Sequence, residues 1–315
     1  MAAGDIACGP GNSHFNGGFG TADGCQELLT SQLLEGHDLS AVLPLGDLQY
    51  DDRGSLASFE ASYAPTWGRW RAASHPAIGN HEYDDGLGAK GYWDYWNGPG
   101  AIEGPAGVRG QGWYSYDAGS WHLVALNSNC DRVSCRGSSP QLRWLRHDLR
   151  DRFGGRCVLA YMHHPHFSSG LYEDQGDTRA LWKTLYRGRA DVVLNGHDHI
   201  YERFAPQRPS GIVDHRRGIS QFTVGTGGYL LFPISSPPAP HSQFAYNQSF
   251  GVLFMRLARH GYGWRFVDVS GATIDRDRRA CHPAPRRRHR RHRRRKGPQG
   301  SGAGRGVATA RRLSG

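Results

Sequence analysis

The chain has 315 residues, 38% hydrophobic and 11% aromatic, enough for one large folded domain or two small ones. It has no run of about 18 apolar residues, so a membrane-spanning helix is not expected. The net charge of +10 belongs to the end of the chain: residues 282–315 hold 11 Arg, one Lys and no acid, leaving −2 for residues 1–281, so the body is near neutral and the end basic.

From the N-terminus, Met1-Ala2-Ala3-Gly4 offers neither the charged nor the apolar region of a secretory signal. Asp5 nevertheless needs a strand before it. The expectation is that the natural N-terminal strand is truncated and that an export signal preceded it. Leu28, Leu29, Leu33 and Leu34 recur at helical spacing and predict an amphipathic helix over Ala22–Glu35. Short apolar runs predict buried strands at Ala41–Leu45 and His75–Ile78. Trp113–Tyr116 and Trp121–Leu126 read as a hairpin turning around Asp117-Ala118-Gly119. A helix follows over Gln141–Asp151, with Pro140 near its start. Val158–Met162 is a strand, Thr178–Arg187 a helix and Asp191–Leu194 a strand. Phe222–Val224, Gly251–Leu257 and Trp264–Val269 read as later strands. Strands alternating with helices, plus hairpins, predict an α/β fold with a mixed sheet. The division expected is a domain over 1–281 and a disordered tail over 282–315, rich in Arg, Pro and Gly.

The six cysteines have no C-x-x-C spacing. Cys8 and Cys25 flank a Gly-rich loop, Cys130 and Cys135 bracket a short turn, and Cys157 and Cys281 remain. Disulfides in an oxidising compartment are expected, which places the protein outside the cytosol, secreted or extracellular.

The apolar strand runs end in polar residues of one chemical kind. Gly46-Asp47, Gly79-Asn80, Met162-His163 and Gly196-His197 each follow one. In open α/β sheets ligands gather at the carboxyl ends of strands. Two metal ions roughly 3.5–4 Å apart can hold a phosphate, generate hydroxide and stabilise the departing oxygen. Such a pair needs a shared anion, and Asp47 is the candidate bridge. Asp5, Tyr50, Asn80, His163, His197 and His199 supply the oxygen and imidazole donors that suit Fe, Zn or Mn. In an extended loop residues i and i+2 project to one side, so His197 and His199 can face one cluster. A phenol with pKa near ~10 binds as phenolate only beside a strong Lewis acid, which makes Tyr50 the most diagnostic residue.

Gly4-Asp5, Gly46-Asp47-Leu48-Gln49-Tyr50, Gly79-Asn80-His81-Glu82, Met162-His163-His164-Pro165 and Gly196-His197-Asp198-His199 occur in this order. The set resembles the calcineurin-like metallophosphoesterases, and within them the single-domain bacterial purple acid phosphatases. The resemblance implies a β-sandwich of mixed sheets flanked by helices in four layers. It assigns Asp5, Tyr50 and His199 to a first ion, Fe(III). Asn80, His163 and His197 take a second, Fe, Zn or Mn(II), and Asp47 bridges. His81 would bind the phosphate or protonate the leaving oxygen. Plant-like members carry further histidines after the strand-end His. Here only His164 and His166 precede Ser168-Ser169-Gly170, so either one of these two takes that role, with His164 as the catalytic candidate, or the general acid is weaker.

The implied activity is hydrolysis of small phosphate monoesters by a metal-bound hydroxide. Alternatives are a phosphodiesterase or nucleotidase, or a polyanion-binding protein with an inert metal site. The basic tail reads as a polyanion contact, a solvated appendage or text translated out of frame from a GC-rich gene. Asp51, Asp52, Asp84 and Asp85 read as solvated or turn residues. Trp93, Tyr95 and Trp96 could rim the pocket or sit in the core. His14, His37, His122 and His241 read as structural.

Overall fold

A computed structural model describes residues 1–50, 54–151, 156–172 and 176–283. These belong to one unit, Met1–Ala284, whereas Pro285–Gly315 forms a second that lies outside the described residues, as does nearly all of the expected tail. The N-terminal part contributes strand β1 (Ala2–Ala3), helix α1 (Glu27–Gln32), β2 (Leu43–Pro44), α2 (Leu56–Ser58) and α3 (Lys90–Asn97). Strands β3 (Glu103–Gly104) and β4 (Gly107–Val108) pair as a small ribbon. Then come β5 (Tyr114–Ala118), β6 (Trp121–Ala125), α4 (Pro140–Asp151), β7 (Cys157–Tyr161), α5 (Arg179–Gly188) and β8 (Val192–Asn195). The last strands are β9 (Tyr201–Phe204), β10 (Ser220–Val224), β11 (Ser242–Tyr246), β12 (Gly251–Ala258), β13 (Gly261–Asp268) and β14 (Thr273–Ala280).

Two mixed sheets result. The larger has the order β11-β9-β10-β8-β7-β6-β5, with β6, β7, β8 and β10 parallel and α4 and α5 as crossovers. The smaller has the order β14-β13-β12-β1-β2, with β1 and β2 parallel. Side chains alternate across a strand, and this decides what covers each face. Leu123, Leu159, Tyr161, Val192 and Leu194 share a core with Ala2, Leu43, Leu253 and Phe266 of the smaller sheet. Their sequence neighbours Val124, Val158, Ala160 and Val193 pack instead with Leu142 and Leu145 of α4 and Leu181, Trp182 and Leu185 of α5. The central strands are therefore apolar on both faces, as expected of a sheet covered on both sides. The expected sandwich of mixed sheets flanked by helices is the fold observed.

Two elements differ from expectation. The helix predicted over Ala22–Glu35 is only Glu27–Gln32, because Cys25 lies in the left-handed region at φ 61° and is tied to Cys8. The strand predicted at His75–Ile78 survives as bridges at Val42–Ser74 and Leu45–Ala77. Pro44 and Pro76 have no N–H to complete a ladder there. Helices α2 and α3 and strands β3, β4, β9, β11 and β14 were not predicted. The sequence of β14, Thr-Ile-Asp-Arg-Asp-Arg-Arg-Ala, suits an edge exposed to solvent and carries no apolar period. All six cysteines pair, as Cys8–Cys25, Cys130–Cys135 and Cys157–Cys281. Trp93, Tyr95 and Trp96 are buried in the core, and His122 is buried between Asp117 and Asp148.

Candidate metal centre

The parallel strands of both sheets end at one place. Asp5 follows β1, Asp47 follows β2, His163 follows β7 and His197 follows β8. The main chain stitches these ends together: Asp5 N–H donates to Gly46 O at 3.1 Å and Gly196 N–H to His163 O at 2.9 Å. Asp5, Asp47 and His197 have φ values of 60°, 49° and 72°. Left-handed backbone at a residue other than glycine costs energy, and such strain clusters at functional sites. The glycines permit the close approach. A Cβ on Gly79 would run into Asp47 Oδ1, and one on Gly46 would come within 2.7 Å of both Gly79 N and His163 Nδ1.

All seven predicted ligands meet there. Tyr50 Oη donates to Asp5 Oδ1 at 2.9 Å, lies 3.0 Å from His199 Nε2 and 3.2 Å from Asp47 Oδ2. His163 Nε2 lies 3.1 Å from Asp47 Oδ2, 3.1 Å from Asn80 Oδ1 and 3.2 Å from His197 Nδ1. The donors thus fall into two groups that share Asp47 Oδ2. Asp5, Asp47, Tyr50, His163 and His199 are buried, whereas Asn80 and His197 are partly exposed.

The buried donors of this cluster shift one another strongly. Burial works to raise Asp47, but the charges of His163, His81 and His197 outweigh it and hold the carboxyl well below the usual range. Burial works to lower His163, yet Asp47 pulls it up to about 9. Burial, then the Asp47 and Asp5 charges, push the Tyr50 phenol far above its ordinary value. His197 is lowered to about 2 by burial and by the charges of His163 and His164. One phenol hydrogen faces two carboxylates and an imidazole, and one imidazole nitrogen faces a carboxylate, an amide oxygen and a second imidazole. Oxygen and imidazole donors converging in this way fit hard or borderline metal ions. His163 Nδ1 meets Leu45 O at 2.9 Å, which orients the ring and leaves Nε2 for the cluster.

The two predicted catalytic histidines border the same cluster. His81 is partly exposed, with Nε2 3.9 Å from Asp47 Oδ2, its ring 4.6 Å from Tyr50 and its N–H donating to Asp47 Oδ1 at 2.9 Å. Asp84, expected to be a solvated or turn residue, is exposed but sets its carboxylate 2.7 Å from His81 Nδ1. Asp85 is the turn residue expected, accepting from Leu87 and Ala89 N–H, and Asp51 and Asp52 lie outside the described residues. The ring of His164 lies 4.3 Å from that of His197, with Nδ1 2.9 Å from Ser128 Oγ. Burial and the His163 charge lower it to about 3. His166 is elsewhere, buried against Thr178 and the Pro209 carbonyl, so of the two alternatives only His164 reaches the cluster.

Two contributors were missed. Glu82 is fully buried and accepts N–H bonds from Asp47 at 3.0 Å, Leu48 at 2.7 Å and Gly79 at 2.6 Å, clamping together the two loops that carry Asp47 and Asn80. Burial and the Asp47 charge raise it to about 7. Its place beside His81 was the available signal. Ser128, which also accepts the His164 N–H at 2.9 Å, carried no signal at all.

The sequence profile of the family described as Calcineurin-like phosphoesterase matches residues 2–201. Purple acid phosphatase 21 of Arabidopsis thaliana is 31% identical over 247 residues, 71% of this chain and 52% of that protein. The Fe(3+)-Zn(2+) purple acid phosphatase 12 of the same plant is 28% identical, over 70% of this chain and 52% of its own length. The chain thus spans about half the length of these relatives. Among solved structures, the purple acid phosphatase PPD1 of yellow lupin superposes on 89% of this chain and 53% of its own, with a TM-score of 0.67 at 17% identity. GAP50 of Plasmodium superposes on 89% of this chain and 87% of its own, with a TM-score of 0.57 at 13% identity, a likeness of fold. With the matched stretch running from Ala2 to Tyr201, and so carrying every converging donor named above, this chain belongs to the calcineurin-like phosphoesterases, on their purple acid phosphatase-like branch.

Proposed function

We propose that the protein is an acid phosphatase-like hydrolase of small phosphate monoesters, working at a two-metal centre. The observation that carries the reading is the sharing of Asp47 Oδ2, 3.2 Å from Tyr50 Oη and 3.1 Å from His163 Nε2, between two donor groups. Asp5, Tyr50 and His199 would hold one ion and Asn80, His163 and His197 the other, with Asp47 placed to serve both. The presence of a phenol among the donors, Tyr50 Oη 2.9 Å from Asp5 Oδ1 and 3.0 Å from His199 Nε2, supports ferric iron in the first position, since a phenol binds as phenolate only beside a strong Lewis acid, with Fe, Zn or Mn in the second. The name of the Fe(3+)-Zn(2+) relative supports that choice. Bound there, the metal pair supplies Lewis acidity: an activated water and charge stabilisation on the phosphoryl oxygens.

The chain's own residues do the rest. Glu82 aims Asp47 through its main-chain N–H. His81 and His164, both partly exposed beside the cluster, take the substrate, one at the phosphoryl oxygens and one at the leaving oxygen. Asp84 and Ser128 orient these rings through their Nδ1 atoms. Residues 1–281 form the catalytic part, and the basic residues after it are an appendage or a polyanion contact. Three disulfides support an oxidising, secreted setting.

The test combines elemental analysis with turnover of 4-nitrophenyl phosphate and its bis-ester, with and without chelator. Two bound metals and monoester turnover that chelation removes are expected, and Asp47→Ala loses both. An Asp47→Ala protein retaining two metals and full turnover would overturn the assignment, and a preference for the bis-ester would make the protein a phosphodiesterase.

A further inference from the structure

Three aromatic side chains that the chemistry above does not use lie face-on against candidate ligands. Tyr229 stacks on Tyr50 at 3.6 Å and 2°, Phe232 on His199 at 3.9 Å and 7°, and Tyr172 on His197 at 4.5 Å and 26°. Tyr172 and Phe232 also meet edge to face at 5.9 Å. Together they line one flank of the centre. Each is pinned by its backbone to a ligand-bearing segment. Tyr229 N–H donates to Asp5 O at 3.1 Å, Phe232 N–H to His199 O at 3.0 Å and Tyr172 N–H to Asp198 Oδ1 at 3.0 Å. Asp198, between the two histidines of the loop, thereby acts as a support for Tyr172.

This flank carries aromatic rings, with Tyr229 and Phe232 partly exposed and Tyr172 exposed, where the other carries polar groups. Tyr172 is 45% exposed and its neighbour Leu171 56%, two of the few large hydrophobic side chains left in solvent among the described residues. Around the same centre, the partly exposed His81 and the exposed Asp84 present polar groups. A phosphoryl group belongs with the metal donors and histidines. The group attached to it must leave the centre past one flank or the other. Exposed aromatic faces next to a reacting centre offer stacking, not hydrogen bonds.

We propose that Tyr172, backed by Phe232, forms the leaving-group subsite and selects phosphate monoesters of aromatic alcohols over those of aliphatic ones. This rests on the monoesterase reading above. The ring of an aryl ester packs against the exposed part of Tyr172, while an alkyl chain of similar size gains only the area it covers. Aromatic pairing beyond area burial corresponds to roughly two- to tenfold in affinity.

The test uses the metal-loaded full chain, Tyr172→Ala, Tyr172→Phe and Phe232→Leu. The first measurement is the ratio of kcat/KM for phenyl phosphate to that for glycerol 2-phosphate; intrinsic reactivity cancels when the ratio is compared between proteins. The second is calorimetric affinity for phenylphosphonate relative to methylphosphonate, which needs no turnover. Both ratios are expected to fall about three- to tenfold in Tyr172→Ala, less in Phe232→Leu, and to hold in Tyr172→Phe, which keeps the ring. Ratios unchanged in Tyr172→Ala would overturn the subsite, as would equal losses for aryl and alkyl ligands. A wild-type protein that turns over neither monoester would overturn the monoesterase reading, and the phosphonate ratios would still decide the subsite.

Discussion

Glu82 accepts the main-chain N–H of Asp47 at 3.0 Å, so the shared carboxylate is held from behind by a second, buried carboxylate. The same side chain takes the N–H groups of Leu48 and Gly79, three donors with no water to turn to. In Glu82→Gln an amide NH2 must face at least one of them. An unsatisfied buried donor costs about 1–3 kcal/mol, so the melting temperature should drop. Metal should also leave faster on dialysis against a chelator, because Asp47 loses its fixed aim. A variant with unchanged melting and unchanged metal retention would show that Glu82 does not support the centre.

Tyr50 discriminates a purple-type centre from a generic two-metal one. Its hydroxyl is surrounded by Asp5, Asp47 and His199, and its ring is stacked on Tyr229. The metal-loaded protein is expected to absorb in the visible through phenolate-to-iron charge transfer. Tyr50→Phe should lose that band while folding normally, since the ring and its stacking remain. A colourless wild-type protein with two zinc ions and full activity would favour the generic centre.

The disulfides differ in what they constrain. Cys157–Cys281 spans 124 residues and ties the start of β7 to the segment after β14, while Cys130–Cys135 spans only 5. Loop-closure entropy gives about 5 kcal/mol for the first and about 2 for the second. Calorimetry of the paired Cys→Ser variants should therefore show the larger melting-temperature loss for Cys157/Cys281. The reverse order would mean that native-state contacts, rather than chain entropy, set the difference.

Asp275 joins the two sheets and makes stability depend on acid. It accepts from Tyr201 Oη at 2.8 Å, Arg203 Nε at 2.8 Å and Trp264 Nε1 at 3.0 Å, linking β14 and β13 to β9. Burial works to raise this carboxyl, but hydrogen bonds from Arg203 and Tyr201 and the Arg203 charge hold it below its ordinary 3.8. A depressed folded-state value contributes stability that is fully present above the unfolded-state value and is lost as pH falls through the folded one. Melting of the wild-type chain should therefore fall more steeply below about pH 4 than melting of Asp275→Asn, which lacks this titration. Parallel curves from pH 6 to pH 3 would remove Asp275 from the account.

The residues that end the buried strands were legible without any structure. Strand periodicity and apolar runs are local, and Asp47, Asn80, His163 and His197 each follow such a run directly. The i, i+2 relation of His197 and His199 is equally local. Other features depend on contacts between distant segments. Tyr50 and His199 meet across 149 residues, and nothing near either one in sequence specifies a 3.0 Å approach. His164 and His166 are two residues apart, the same spacing as His197 and His199, yet the packing of His166 against Thr178 and Pro209 sends it away from the candidate metal donors. Glu82 was visible only as a neighbour of His81, because a carboxylate that accepts main-chain N–H groups looks in sequence like any acid. The solvent-facing β14 lacked an apolar period for the same reason that it suits an edge: water, not a core, covers it. Sequence by itself determined which donor residues stand at strand ends; tertiary structure decided how they pair, since distance and burial are properties of packed elements rather than of neighbours in the chain.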